Sequence, residues 1–189
     1  MLNKILEFPG IEWHGEYTCV TGGRHDLLNE DCQDAAYMVE KNGTLAACIC
    51  DGAGSVKLSK FGAQAVSYNL ASFMVENPEI FIKGSISPKE ILDIAIKAIE
   101  KEIPVYGVVL KDYACTLVGI LLSGEKAVCI HVGDGLIGMV ENNIPKVLSA
   151  PENGEFSNQT VFVTSKFVLK HFRMNVYNIS KSATSFVLM

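Results

Sequence analysis

The chain has 189 residues, of which 49% are hydrophobic and 20% charged, and its net charge is −5. This composition excludes a disordered chain, which would be poor in apolar residues and rich in charge. The longest nearly uncharged apolar run, Tyr113 to Leu122, is too short to span a bilayer. Because the basic residues form no stripe, we expect neither nucleic acid nor a membrane surface as a partner.

The first part of the chain predicts strands around one tight turn. Residues Glu12 to Val20 alternate loosely and predict a strand, whereas the polar segment Gly22 to Asp34 predicts a loop. The Asn42-Gly43 pair tolerates positive φ, which favours a hairpin between strands at Ala35–Glu40 and Thr44–Cys50. Since the second of these strands is apolar on both faces, it should be central and buried.

Helices follow the hairpin, and more strands follow the helices. Leu58 to Glu76 has the apolar spacing of a helix, which Asn77-Pro78 interrupts. Ser87-Pro88-Lys89-Glu90 is typical of a second helix start, with a capping box between Ser87 and Glu90. Further strands are predicted at 114–122, 126–132, 136–141, 144–148, 159–164, 172–179 and 184–189. This order indicates an α+β fold in which helices pack on a sheet sandwich.

The cysteines and the N-terminus indicate the compartment. None of the six cysteines forms a C-x-x-C pair, which argues against a zinc ribbon, and five of them lie in apolar runs. Residues Met1 to Phe8 lack the apolar segment of a secretory signal. We therefore expect a cytoplasmic protein whose core cysteines are reduced.

Three aspartates stand where predicted strands meet loops. Asp34 precedes the first hairpin strand, Asp51 follows the central strand, and Asp134 follows the strand at 126–132. Carboxylates at neighbouring strand ends can converge on a hard divalent cation, which needs oxygen ligands. Taken singly, however, each Asp-Gly pair is a common turn dipeptide. Thr116 and Ser165 are interpreted as ordinary strand or loop residues rather than nucleophiles.

Taken together, these motifs resemble one known family. The matching segments, in chain order, are Cys32-Gln33-Asp34-Ala35, Asp51-Gly52-Ala53-Gly54-Ser55 with Phe61-Gly62-Ala63, His131-Val132-Gly133-Asp134-Gly135, and Pro151-Glu152-Asn153-Gly154-Glu155-Phe156. They resemble the metal-dependent protein phosphatases (PPM, the type 2C Ser/Thr phosphatases), in particular the bacterial branch with Gln-Asp in place of Glu-Asp. The resemblance runs from about Gly22 to Met189.

The resemblance implies a four-layer αββα sandwich with two Mg²⁺ or Mn²⁺ ions between its sheets. By position, Asp51 matches the aspartate that bridges both ions, and the Gly52 carbonyl matches a further ligand. Asp34 matches the second acid of the pair. Gln33 stands in place of a glutamate ligand, and its neutral amide should bind an ion more weakly. Asp134 matches an aspartate that helps to hold a third, looser ion.

The same resemblance implies the reaction and its substrate. Such an enzyme hydrolyses phosphoserine or phosphothreonine in proteins with a metal-activated water, and it needs no nucleophilic side chain. His25 matches the phosphate-binding position of the bacterial branch, with Arg24 as the neighbouring candidate. A loop histidine with no role is the alternative for His25. No cysteine sits in a phosphate-binding C-x5-R pattern.

The family places two further metal ligands beyond the strand that matches 186–189, and the chain contains neither. We therefore interpret residues 1–189 as a single phosphatase-like domain that lacks its C-terminal part, and we expect this chain to be inactive or very weakly active. Two other hypotheses stay open: a catalytically inactive phosphatase-like module that binds or regulates partners, and a structural α+β domain whose Asp-Gly pairs are only turns. The sequence does not indicate the oligomeric state.

Overall fold

Two antiparallel sheets and a set of helices make up the computed structural model, which describes residues 13–20, 32–106, 109–152, 160–180 and 182–189. The predicted α+β class is confirmed. The larger sheet has five strands in the order β1-β2-β3-β4-β7, and the smaller sheet has three in the order β6-β5-β8. The eight strands are β1 (Ala35–Lys41), β2 (Thr44–Cys50), β3 (Leu117–Ser123), β4 (Lys126–Val132), β5 (Ile137–Glu141), β6 (Ile144–Ser149), β7 (Arg173–Asn178) and β8 (Ala183–Leu188).

Tight turns set the register of two strand pairs. Asn42 and Gly43, at φ of 52° and 73°, join β1 to β2, and Asn142 and Asn143, at 54° and 62°, join β5 to β6. Both central residues at positive φ define the turn type whose twist suits a hairpin. The predicted Asn42-Gly43 hairpin is therefore confirmed, with Lys41 paired to Thr44 across it.

The helices occupy the middle of the chain. They are α1 (Ser59–Glu76), α2 (Pro78–Ile82) and α3 (Pro88–Tyr106), with short 3-10 turns at Leu110–Tyr113 and Val168–Lys170. The predicted capping box starts α3: the Ser87 amide donates to Glu90 Oε2 at 2.8 Å, and the Glu90 amide donates to Ser87 Oγ at 3.2 Å. These bonds satisfy amide groups that the first helical turn leaves unpaired.

Two apolar clusters, one on each face of the larger sheet, hold the layers together. The first joins the helices to this sheet and includes Leu70, Met74 and Ile91. The second lies between the two sheets and includes Ile120 and Ile137. The described residues thus form three layers of the predicted four, namely helices, a five-stranded sheet and a three-stranded sheet. Within this described part, no helix is long and apolar enough to cross a membrane.

Three local predictions were wrong. Residues 13–20 form no strand, and Cys19 among them is exposed rather than part of the core. The predicted strand at 159–164 is reduced to an isolated bridge residue at Thr160 and loop. The Val163 amide donates to the Cys115 carbonyl at 2.9 Å, so this segment is tied to the start of β3 rather than paired along a strand.

A glycine sets the contact between α1 and the 3-10 turn at 110–113. A Cβ on Gly62 would lie 2.1 Å from the Tyr113 carbonyl oxygen. Backbone cannot move away as a flexible side chain can, so the helix needs glycine here. This contact explains the Phe61-Gly62-Ala63 motif in structural terms.

We predict that Gly62→Ala lowers the free energy of unfolding by about 1–3 kcal/mol, because the added methyl overpacks the interface. In an uncrowded helix the same change would stabilise the protein by about 0.5–1 kcal/mol, so the sign is diagnostic. Urea unfolding followed by circular dichroism measures it. Gly138→Ala is the control, since its Cβ would meet its nearest atoms at 3.6 Å. A Gly62→Ala protein as stable as the wild type would contradict the packing argument.

Candidate metal centre

The β1–β2 register brings two carboxylates together. Ala35 pairs with Cys50, so Asp34 and Asp51 continue this pair by one residue at the same end of the sheet. Both residues are exposed to solvent. The Asp34 side chain is near enough to Asp51 to raise the pKa of the Asp51 carboxyl.

The electrostatics of Asp51 follow from this crowding. Desolvation raises the pKa of Asp51 to about 7, and the hydrogen bond to Asp34, the charge of Asp34 and the charge of Asp134 act in the same direction. A bound cation would oppose all of the electrostatic causes, because it favours the ionised carboxylates.

Asp134 joins this end of the sheet from a tight turn after β4. Gly133 has a φ of 108°, and a Cβ there would lie 2.7 Å from Thr116 Cγ2. A side chain at position 133 would therefore be both strained and crowded. The Asp134 carboxylate accepts a hydrogen bond from Thr160 Oγ1 at 3.0 Å. The charge of Asp134 contributes to the raised pKa of Asp51, so Asp134 lies within electrostatic range of Asp51.

Thr116 connects these acids through the backbone. It is buried, its Oγ1 accepts a hydrogen bond from the Asp51 amide at 2.9 Å, and its own amide donates to the Asp51 carbonyl at 2.9 Å. Its methyl group is the atom that Gly133 approaches. Sequence reasoning missed this role, although a threonine in the apolar run 113–122 needs a polar partner once it is buried.

Gly52 and Gln33 lie beside the acids. Gly52 is buried, pairs with Cys115 in an isolated bridge, and has no room for a side chain, since a Cβ would lie 2.5 Å from the Gln33 carbonyl oxygen. The Gln33 side-chain oxygen accepts a hydrogen bond from Ser59 Oγ at 3.2 Å. Ser59, at the start of α1, thus contacts the Gln33 amide, although its hydroxyl also lies 2.9 Å from the Val56 carbonyl oxygen.

The buried thiols of the sheet are poor nucleophiles. Burial raises the pKa of the Cys129 thiol to about 12. The pKa of Cys50, next to Asp51, is raised mainly by burial and further by its contact with Cys115. Only a thiolate attacks efficiently, so these buried groups contribute packing rather than chemistry.

The donor set fits a hard divalent cation. Asp34, Asp51 and the Gly52 backbone offer only oxygen, which suits Mg²⁺ or Mn²⁺ and not Zn²⁺ in a cysteine site. Among the described residues, no three His, Cys, Asp or Glu side chains could by themselves hold an ion. Backbone carbonyls and water would have to supply the remaining positions, as is usual for Mg²⁺.

A shallow cleft of about 320 Å³ opens beside Asp34, between β1 and α1. Tyr37 and Tyr68 form part of its wall, with ring centroids 4.7 Å apart. The two predicted phosphate-binding residues, Arg24 and His25, lie outside the described residues, as does the 153–156 part of the acidic motif.

Comparison with known proteins gives a consistent result. The family described as Protein phosphatase 2C matches residues 21–189. Serine/threonine-protein phosphatase 3 of Escherichia coli (strain K12) is 24% identical over 164 residues, which are 82% of this chain and 64% of that protein. The chain therefore spans less than two thirds of the length of this relative.

Two solved structures share the fold. A mutant of a bacterial serine phosphatase superposes with a TM-score of 0.63 at 16% identity, covering 95% of this chain and 76% of the other. The catalytic domain of the serine threonine protein phosphatase PstP, solved with two manganese ions, gives a TM-score of 0.56 at 12% identity, covering 79% of this chain and 67% of the other.

The raised pKa of Asp51 predicts a pH dependence of stability. A raised folded-state pKa stabilises the protein fully below the ordinary value of 3.8, and this contribution is lost as the pH rises through about 7. In EDTA, the melting temperature should therefore fall between about pH 4 and about pH 7 and level off above that, and Asp51→Asn should flatten the slope. Circular dichroism melts measure both. The exposed Asp93→Asn on α3 is the control and should keep the wild-type slope; an unchanged slope in Asp51→Asn would refute the assignment.

Proposed function

Because the chain belongs to the protein phosphatase 2C family, we propose that the protein hydrolyses phosphoserine and phosphothreonine in other proteins with Mg²⁺ or Mn²⁺. The observation that carries the proposal is the Asp34–Asp51 pair, with Asp134 near it, at one end of a rigid sheet. The E. coli relative is named as a serine/threonine phosphatase, which supports the same activity here.

The donors divide among the ions in the way that the resemblance implies. We assign Asp51, the Gly52 carbonyl and Asp34 to two ions, Gln33 to a weaker contact, and Asp134 to a third, loosely held ion. Bound divalent cations lower the pKa of coordinated water and neutralise charge on a phosphoryl group. The manganese ions in the PstP structure support this choice of metal for the fold.

The chain's own residues prepare this site. Thr116 fixes the Asp51 backbone, so the direction in which this side chain leaves the main chain is set before a cation would bind. Exposure of Asp34, Asp51 and Asp134 leaves them open to a phosphoprotein. The cleft beside Asp34 can take a side chain that flanks the phosphorylated residue. Arg24 and His25 are proposed to bind the phosphate.

We predict that Asp51→Asn lowers phosphopeptide hydrolysis by at least about 100-fold, since several kcal/mol of transition-state stabilisation is lost with the cation. The assay uses the full-length gene product, Mn²⁺, and a phosphoserine or phosphothreonine peptide. Asp93→Asn is the matched control and should retain wild-type turnover. Mn²⁺ binding without any hydrolysis by the wild type would instead favour an inactive, phosphoprotein-binding module.

Gln33 gives a second test of the same site. Gln33→Glu adds a negative ligand in the same place and keeps an oxygen acceptor for Ser59, so we expect Mn²⁺ affinity to rise roughly tenfold. Isothermal titration calorimetry measures the affinity. Asn143→Asp, in the exposed turn between β5 and β6, adds a negative charge outside the proposed ligand set and serves as control. Equal affinities of wild type and Gln33→Glu would remove Gln33 from the metal site.

A further inference from the structure

The turn that carries Asp134 is held through the carbonyl group of the buried residue Gly133, which accepts two hydrogen bonds. The Gly133 carbonyl oxygen accepts from the Glu152 amide at 3.1 Å and from Arg173 Nη2 at 3.5 Å. This carbonyl belongs to the peptide unit whose nitrogen is that of Asp134. Because a peptide unit is planar, holding the oxygen fixes the direction in which the chain enters Asp134.

The orientation of the Arg173 guanidinium is restrained by contacts with Ala150, Gly133 and Glu152. It opens β7, directly opposite His131 on β4. Its Nη1 donates to the Ala150 carbonyl at 2.5 Å, and its Nε lies 3.4 Å from Glu152 Oε2. A guanidinium is rigid and planar, so contacts with two carbonyls and one carboxylate leave it a single orientation. A lysine could not satisfy all three at once.

Glu152 completes the cluster. Its Oε1 lies 2.9 Å from His171 Nδ1, while Oε2 faces Arg173. Its side chain is only 34% exposed and that of Arg173 only 29%. Partial burial makes such a network stiffer than a surface ion pair, which contributes little. Glu152 thus contacts Gly133 with its amide and Arg173 with its carboxylate.

Two further contacts act on the same turn from other directions. Thr116 touches Gly133 from the β3 side, and Thr160 donates to the Asp134 carboxylate. Arg173 and Glu152 are the residues that connect the turn to β7. Without them, Gly133, which has the widest backbone freedom of any residue type, would be restrained on fewer sides.

We propose that Arg173, working with Glu152, is a positioning residue for Asp134, which it aims at the Asp34–Asp51 pair. The inference rests on the proposed function in giving Asp134 a role at the metal site. Neither side chain touches the acids' carboxylates in this role; they act through the Gly133 peptide. A purely structural ion pair between β7 and the 150–152 segment is the competing explanation.

The first experiment needs no metal. Amide hydrogen exchange is measured in EDTA on wild type, Arg173→Lys, Arg173→Gln and Glu152→Gln. We expect exchange at the Glu152 amide and across 132–136 to accelerate about tenfold in all three variants, with the core of β2 and β3 unchanged. Lys41→Gln, which breaks the exposed 2.6 Å pair with Glu76, is the control and should leave this turn protected. Unchanged exchange in Arg173→Lys and Glu152→Gln would overturn the proposal.

The second experiment separates positioning from stability. Mn²⁺ affinity is measured by calorimetry for Arg173→Gln, Asp134→Asn and the double variant. If Arg173 acts through Asp134, its loss weakens binding in the wild type but adds nothing once Asp134 is replaced. Additive losses would overturn the proposal in favour of a structural pair. Should Arg173→Gln fold poorly, Glu152→Gln replaces it, since it removes a charge at constant shape.

The two proposals fail in different ways. A wild-type protein that binds no Mn²⁺ and hydrolyses no phosphopeptide contradicts the proposed function, whereas the exchange result at 132–136 still decides whether Arg173 and Glu152 hold the turn. Conversely, an active enzyme whose turn is unaffected by Arg173→Lys and Glu152→Gln keeps the proposed function and loses the positioning role.

Discussion

The site depends on the repulsion between two neighbouring carboxylates. Asp34 and Asp51 stand side by side at one end of the β1–β2 pair. The β1–β2 register sets Asp34 against Asp51, and hydrogen bonds from Thr116 anchor the Asp51 backbone. Two ionised carboxylates side by side repel each other, so a proton or a cation stabilises the pair. Desolvation, and then the proximity of Asp34, raises the pKa of Asp51, and a bound cation would relieve the repulsion between the two carboxylates.

The surrounding fold keeps that arrangement stiff. The larger sheet is packed on both faces, against the helices and against the smaller sheet, so its strands cannot shift singly. The site itself lies on the short segments at the strand ends, which are exposed to solvent. A rigid scaffold that carries reactive groups on its loops is the common solution for a site that must admit a large partner.

Local signals in the sequence explain why much of this could be predicted. The Asn42-Gly43 turn, the Ser87–Glu90 box and the aspartates at strand ends each act within a few residues, and the structure contains all three features. The roles of Thr116 and Arg173 could not be predicted, because their partners are 65 and 40 residues away. The wrong strand predictions at 12–20 and 159–164 have a similar cause, since strand pairing depends on neighbours that a local pattern does not contain.

The Asn42-Gly43 turn has a consequence at a distance. Seven residues of β1 separate it from Asp34, about 23 Å at the usual rise of a strand. A shift of the β1–β2 pairing by one residue would turn the side chains of one strand to the opposite face relative to the other. Asp34 would then point away from Asp51 while every donor remained in the sequence.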